Sequence, residues 1–267
     1  MADDGTIRQA AQYLAQRYTA RASLDIMLQP CAPTTLAGAY QVQDALLDLL
    51  GQERGRLGGY KVAYTSDEMR RRRGISSPCA GGMFASTIQD APAAFRSTDY
   101  VQLAIECEVG VRLRADVPAA KAPYTRASIA DYIDFLATAF EMVDMRSAAA
   151  GTGPDAAAIA GICTNIYNAG AVLGPAVREW RGIDLTAAHG VMRINGVQVG
   201  EGRGGDVMGH PLEPLVWLAN MLAERGKELK AGMTVITGSI IPPQPLKAGD
   251  TATIAIDGLG EAQVCVS

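Results

Sequence analysis

Glu106 and Glu108 stand two positions apart in the stretch Gln102 to Leu113, QLAIECEVGVRL. Around them Leu103, Ile105, Cys107, Val109, Val111 and Leu113 alternate with polar or small residues, the period of a strand with one face in a core. Residues i and i+2 of a strand point the same way with Cα atoms roughly 7 Å apart, so the two carboxylates share a face. Side by side they repel and need water or a cation. A hard divalent ion such as Mg²⁺ or Mn²⁺ meets that need with oxygen ligands. A strand with a wet outer face is the competing reading of an isolated Glu-x-Glu.

The remaining composition narrows the chemistry. With only two histidines, His189 and His210, a histidine-rich metal centre is excluded, and any metal site must be built from oxygen. The five cysteines are scattered without a C-x-x-C pair, which reads as free thiols in a reducing compartment. Cys79 follows a proline with neither histidine near it in sequence, a poor setting for a nucleophile. His210 lies in Gly-His-Pro-Leu just before a helix and reads as a group that satisfies backbone there. A net charge of -4 argues against nucleic-acid binding. The basic run Arg70 to Arg73, flanked by Asp67 and Glu68, reads as a solvated helix face or an intersubunit contact. No run of about 18 apolar residues predicts a membrane span. The start MADDGTIRQ has no apolar signal core, so a cytoplasmic protein is expected.

Apolar periodicity predicts helices at 5–19 and 35–52, then a strand at 58–65. Residues 66–84 read as loop and short helix ending in a tight Pro-Cys-Ala-Gly-Gly turn. After the glutamate strand, Ser128 to Arg146 reads as a long helix with Ser128 as N-cap and Ile129, Ile133, Leu136, Phe140 and Val143 as its buried stripe. Residues 147–161 read as a loop. Strands follow near 169–173, 190–194, 197–200, 233–237, 251–256 and 261–266, interrupted by a helix from Pro214 to Arg225 that Gly226 closes. Helices first and strands later predict an α+β fold. A helical region, 1–55, is expected to pack on a β-rich metal-binding region, 56–267, as one continuous unit.

Taken in order, several motifs resemble the fumarylacetoacetate hydrolase superfamily, and within it the branch of 2-oxopent-4-enoate hydratases and 4-oxalocrotonate decarboxylases. They are Ala39-Tyr40-Gln41-Val42-Gln43, Gly59-Tyr60-Lys61-Val62 with Thr65-Ser66, Ile105-Glu106-Cys107-Glu108 and Glu141-Met142-Val143-Asp144. Gly209-His210-Pro211-Leu212, Val216-Trp217-Leu218-Ala219-Asn220 and Thr237-Gly238-Ser239 complete the set. The resemblance implies a mixed β-roll or barrel core and a Mg²⁺ or Mn²⁺ ion held by Glu106, Glu108 and one acid from the following helix. Glu141 is that acid by motif order, with Asp144 competing. It also implies that Lys61 moves protons, with a pKa that desolvation can lower toward neutrality. The Thr237-Gly238-Ser239 turn would offer donors to a substrate carboxylate, and Ser66, Cys79 and Asn165 would lie beside the substrate. A homo-oligomer, able to associate with a related decarboxylase or hydratase, is the implied assembly.

The chain departs from that pattern at Cys79, where hydratases carry an aspartate, and at Ala63, Tyr64, Ala104 and Thr164. The metal and lysine positions survive while the substrate-facing residues differ. The expected activity is hydration of a 2-hydroxy-2,4-dienoate to a 4-hydroxy-2-oxo acid. Decarboxylation of a 4-oxalocrotonate-type 2-oxo acid is the runner-up. An acylpyruvate-type C–C hydrolase is disfavoured because no histidine lies near the N-terminal lid.

Overall fold

A computed structural model describes residues 4–146 and 151–267. Its first two elements are the helices α1 (Asp4–Thr19) and α2 (Leu36–Arg54), which pack on each other. Thr35 caps α2 by accepting a hydrogen bond from the Gly38 N–H at 3.1 Å, and Gly55 at φ 82° ends it. There follow β1 (Leu57–Ala63), α3 (Asp67–Arg73), β2 (Cys79–Phe84), β3 (Ile88–Asp90), β4 (Ala93–Phe95), β5 (Leu103–Leu113), α4 (Arg126–Ile129) and β6 (Ile133–Asp144). The remainder is α5 (Ala156–Cys163), β7 (Asn168–Leu173), β8 (His189–Ile194), β9 (Val197–Arg203), α6 (Glu213–Glu224), β10 (Thr234–Pro245), β11 (Thr251–Ile256) and β12 (Gly260–Val266). None of the described helices is long and apolar enough to cross a membrane.

Seven strands form one mixed sheet in the order β2-β1-β10-β5-β6-β7-β3, and five form a second in the order β4-β12-β11-β8-β9. The α+β class is as expected, but the hydrogen-bonded strand orders are open rather than closed into a barrel. The odd-numbered residues of β5, Ile105 to Val111, share a face with Leu136, Phe140 and Met142 of β6. They join a large core that also takes in α1, α2 and Ile254 and Val264 of the second sheet. The even-numbered face is covered too. There Met83, Ala137, Ala139, Ala171, Leu173 and Ile236 form a smaller apolar cluster. The large sheet is therefore buried on both faces at Glu108 and Glu141, while Glu106 is only half-buried.

That double burial explains the main error of the sequence reading. Residues 128–146 are not one helix. Thr125, not Ser128, caps the short α4 in a reciprocal capping box, and β6 runs from Ile133. A strand apolar on both faces loses its alternation and can imitate helical spacing. Two smaller corrections accompany it. Cys79 to Phe84 is a fully buried strand rather than a tight turn, and β10 continues eight residues beyond the expected end at 237, to Pro245. Of the expected loop, residues 147–150 lie outside the described residues, and Ala156–Cys163 is helix.

The first helix is tied to the large sheet by a buried polar knot. Arg146 Nε donates to Asp144 Oδ2 at 2.8 Å, and its guanidinium lies 4.8 Å from the Tyr18 ring centroid. Asp144 Oδ1 accepts from the Val101 and Gln102 N–H groups at 2.7 and 3.0 Å. The Tyr18 hydroxyl donates to the Thr164 carbonyl at 2.7 Å. Arg146→Ala leaves the buried Asp144 without its counter-charge, so a loss of about 3 kcal/mol is expected. Urea denaturation checks it, and an unchanged midpoint would show that the knot is energetically idle.

Candidate metal and proton-transfer site

The strand register assembles the acidic site. Glu106 of β5 lies directly opposite Glu141 of β6, and Glu108, two residues on, shares their face. Such cross-strand neighbours have Cβ atoms about 5 Å apart. One carboxylate oxygen from each lies within 4.8 Å of the others. Glu141 therefore reaches the site from a strand, not from the expected helix. Asp144, its competitor, is engaged in the knot with Arg146. β10 contributes through an irregularity between Ile236 and Ser239. There Gly238, at φ 103°, donates its N–H to Glu108 Oε2 at 2.6 Å. A Cβ on Gly238 would sit 2.5 Å from the Thr65 side chain, so only glycine fits.

Lys61 reaches the site from β1, the strand beyond β10. Its Nζ is 2.9 Å from Glu141 Oε2, with both side chains buried. The stem passes Gly81 of β2, where a Cβ would stand 3.2 Å from Lys61 Cγ. Asn168 Nδ2 donates to the other oxygen, Glu141 Oε1, at 3.0 Å.

Two buried carboxylates, Glu108 and Glu141, and the half-buried Glu106 against one ammonium carry a formal charge of -2. Burial pushes the Glu106 carboxyl up to about 8, and Glu141 adds to the rise while Lys61 opposes it. Glu108 lies well above the usual carboxylate range, through burial and then through Glu141 and Glu106. Burial alone would lower the Lys61 pKa, but the three carboxylates outweigh it, and the ammonium is held above its ordinary value. In the metal-free protein this reverses the lowered pKa expected from sequence.

A divalent cation fits these residues. The donor set is all oxygen, a 2+ charge cancels the -2, and Glu108 Oε1 is buried with no hydrogen-bond partner. Folding the metal-free chain should consequently be penalised by alkali. Between 4.5 and about 8 the native Glu106 retains a proton that the unfolded chain has lost. Stability then falls as pH rises through that window. Calorimetry in chelator from pH 5 to 8 should show a declining Tm, and excess Mg²⁺ should flatten the decline. A Tm in chelator that is flat or rises with pH would overturn the charge assignment.

Above the carboxylates a cavity of about 250 Å³ opens over Lys61 and Glu106. Tyr64, Val143, Met145, Ile166, Tyr167 and Pro243 make most of its wall, with Thr65, Ser66 and Ser239 as polar interruptions. Met69 and Arg73 of α3, both exposed, stand at its mouth. Tyr64 and the run Asn165-Ile166-Tyr167 all have φ between 49° and 57°. Left-handed backbone is costly for any side chain, and most of all for a β-branched one such as Ile166.

Residues 84–267 match the family described as fumarylacetoacetate (FAA) hydrolase C-terminal. The chain belongs to the fumarylacetoacetate hydrolase family. Within it, the chain is 29% identical over 267 residues to the 2-keto-4-pentenoate hydratase of Paraburkholderia phymatum, covering 100% of both. It is 28% identical to the 2-keto-4-pentenoate hydratase of Burkholderia vietnamiensis, over 98% of each. The fold superposes with a TM-score of 0.88 on 4-oxalocrotonate decarboxylase from Pseudomonas putida G7, solved with magnesium and adipate. There the identity is 23%, over 100% of this chain and 99% of that one.

In this family member the other residues expected beside the substrate divide into two groups. Ser66 and Ser239 line the cavity; Ser66 also caps α3, and Ser239 Oγ donates to the Ile241 carbonyl. Gly238 serves Glu108. The remaining three are turned to the scaffold. Thr237 Oγ1 donates to the Val109 carbonyl at 3.1 Å. The Asn165 amide clasps the Gly82 backbone, at 2.7 Å to its N–H and 2.8 Å to its carbonyl. Cys79 is buried at the start of β2 outside the cavity lining, and burial pushes its thiol up to about 12. His210 holds backbone as expected: its Nδ1 accepts from the Leu212 N–H at 3.1 Å. Sequence reasoning singled out Tyr64 as a substrate-facing departure but missed Asn168, Tyr167, Met145 and Arg73. Of these only Arg73 carried a signal, the basic run, which turns out to end at the mouth of the site.

Proposed function

We propose that this chain is a divalent-metal-dependent lyase that adds water to a short 2-hydroxy-2,4-dienoate and releases a 4-hydroxy-2-oxo acid. One observation carries the reading. A strand register brings Glu106, Glu108 and Glu141 to one point, with the Lys61 ammonium beside them at the floor of a mostly apolar cavity. The full-length likeness to hydratases supports it. Glu106, Glu108 and Glu141 would hold Mg²⁺ or Mn²⁺, which when bound supplies Lewis acidity toward the oxygens of a 2-oxo acid.

The chain's own groups do the rest. The Lys61 ammonium can give a proton to C5 and, neutral once it has done so, take that of the C2 hydroxyl, leaving a 2-oxo-3-enoate. Water then adds at C4, and C3 takes up a proton. The apolar wall of Val143, Met145 and Ile166 orients the carbon chain and limits water around it. Asn168 fixes the rotamer of Glu141, and Gly238 that of Glu108. The reading extends to a cytoplasmic homo-oligomer, in keeping with five free cysteines.

Decarboxylation is the second reading, and Cys79 favours it. A neutral thiol buried outside the cavity cannot activate water, and loss of CO₂ needs no water. Ultraviolet absorbance of 2-hydroxydienoates with and without a second, terminal carboxylate, in Mg²⁺ and followed with CO₂ release, separates the two. Loss of the dienoate band without CO₂ is the expected result. Stoichiometric CO₂ would replace hydratase by decarboxylase, and an unchanged spectrum would defeat both.

A further inference from the structure

The four arginines of α3 are not equivalent. Arg70 is pinned, pairing with Asp67 and donating to the Tyr64 carbonyl at 2.7 Å. Arg72 pairs with Glu68 one turn earlier. Arg71 does not line the cavity. Arg73 does, and among the described residues it has no carboxylate partner. Its guanidinium lies instead 5.9 Å from the Tyr64 ring centroid, held by a π face and free to offer its N–H fork. Its charge also reaches the Tyr167 hydroxyl on the cavity wall, so it bears on both phenols.

The cavity is thereby polarised end to end. On its floor stand Glu106, the one acid in its lining, and Lys61, whose charge Glu141 already occupies. Between floor and mouth the wall is mostly apolar and suits a hydrocarbon chain. At the mouth stands Arg73, which makes no ion pair among the described residues, although the Asp25 charge also reaches Tyr167. A substrate ending in a methyl or vinyl group would leave that guanidinium unanswered. One ending in a carboxylate would meet it bidentately.

We propose that Arg73 is a specificity-determining residue that binds a terminal carboxylate, so that the acid taken by this site is a dicarboxylate. The lyase reading supplies only the 2-oxo head of that acid, and recognition of its tail can be tested without turnover. Calorimetric titration of the whole protein in excess Mg²⁺ compares 2-oxoadipate with 2-oxohexanoate, and 2-oxopimelate with 2-oxoheptanoate. Within each pair the head and chain length match, and only the terminal carboxylate differs.

In at least one pair the wild type should bind the diacid roughly tenfold tighter, the scale of one charge-assisted pair at a half-open site. The ratio should approach one in Arg73→Gln, recover in part in Arg73→Lys, and shrink with added salt. A wild-type ratio near one, or a ratio that survives Arg73→Gln, overturns the proposal. Failure of all four acids to bind overturns it together with the lyase reading. Arg73-dependent diacid binding without turnover of any dienoate sinks the lyase reading alone.

Discussion

Glu106→Gln is expected to abolish Mg²⁺ binding and turnover while making the metal-free protein more stable. Both effects have one cause. Glu106 faces Glu141 across the ladder with Glu108 beside them, and burial holds its carboxyl near 8. Glutamine keeps the volume and is neutral in both states, so the cost of folding an acid that must hold its proton up to about 8 disappears. The ligand set loses an anionic oxygen at the same stroke. Removing an outer-shell partner of a metal already costs roughly 10–100-fold in affinity or activity, and a direct ligand should exceed that range. The measurement is a pair of melting curves, in chelator and in Mg²⁺, beside an activity assay. The variant should melt higher than wild type in chelator and fail to respond to Mg²⁺. A lower Tm in chelator, or a metal response equal to wild type, would remove Glu106 from the site.

Lys61→Met should give the opposite stability signature with a comparable loss of activity. Its ammonium is the counter-charge of a buried carboxylate at 2.9 Å. Deleting one partner of a buried pair typically costs about 3–5 kcal/mol, because the other charge is stranded. The metal-free variant should therefore melt well below wild type, and Mg²⁺ should restore most of the difference, since the cation replaces the missing charge. Metal affinity should be undiminished. Turnover should fall by roughly 10²–10⁴-fold, the range for a positioned proton-transfer group. Retained turnover would take the lysine out of the mechanism. Loss of Mg²⁺ binding would mean that it acts only by shaping the metal site.

The two variants also mark what could be read from sequence. Glu106 and Glu108 were legible because charged residues inside an apolar strand are conspicuous in a one-dimensional pattern, whereas Lys61 was legible only through the family resemblance. Glu141 was legible only through motif order, and its setting was misread. Ile133 to Asp144 is apolar on both faces because each face of its sheet is covered, and nothing local distinguishes that from a helix stripe. The cavity wall was the least legible part. Val143, Met145 and Tyr167 come from segments joined to Tyr64 only by tertiary packing, and singly each is an ordinary apolar or aromatic residue. The charge of Arg73 was visible but its address was not, because a short helix with no buried residue shows no face.

The left-handed run Asn165-Ile166-Tyr167 bears on how such a chain should be engineered. Ile166 at φ 49° would be relieved by asparagine or glycine, which tolerate that backbone. A library sorted for heat resistance alone would be drawn to those substitutions. Each would thin one wall of the reaction chamber by a side chain, trading shape for robustness. Sorting for melting temperature and for retention of a 2-oxo acid ligand together would keep the isoleucine. Enrichment of Ile166→Asn or Ile166→Gly under the first regime, and their depletion under the second, would expose that trade directly.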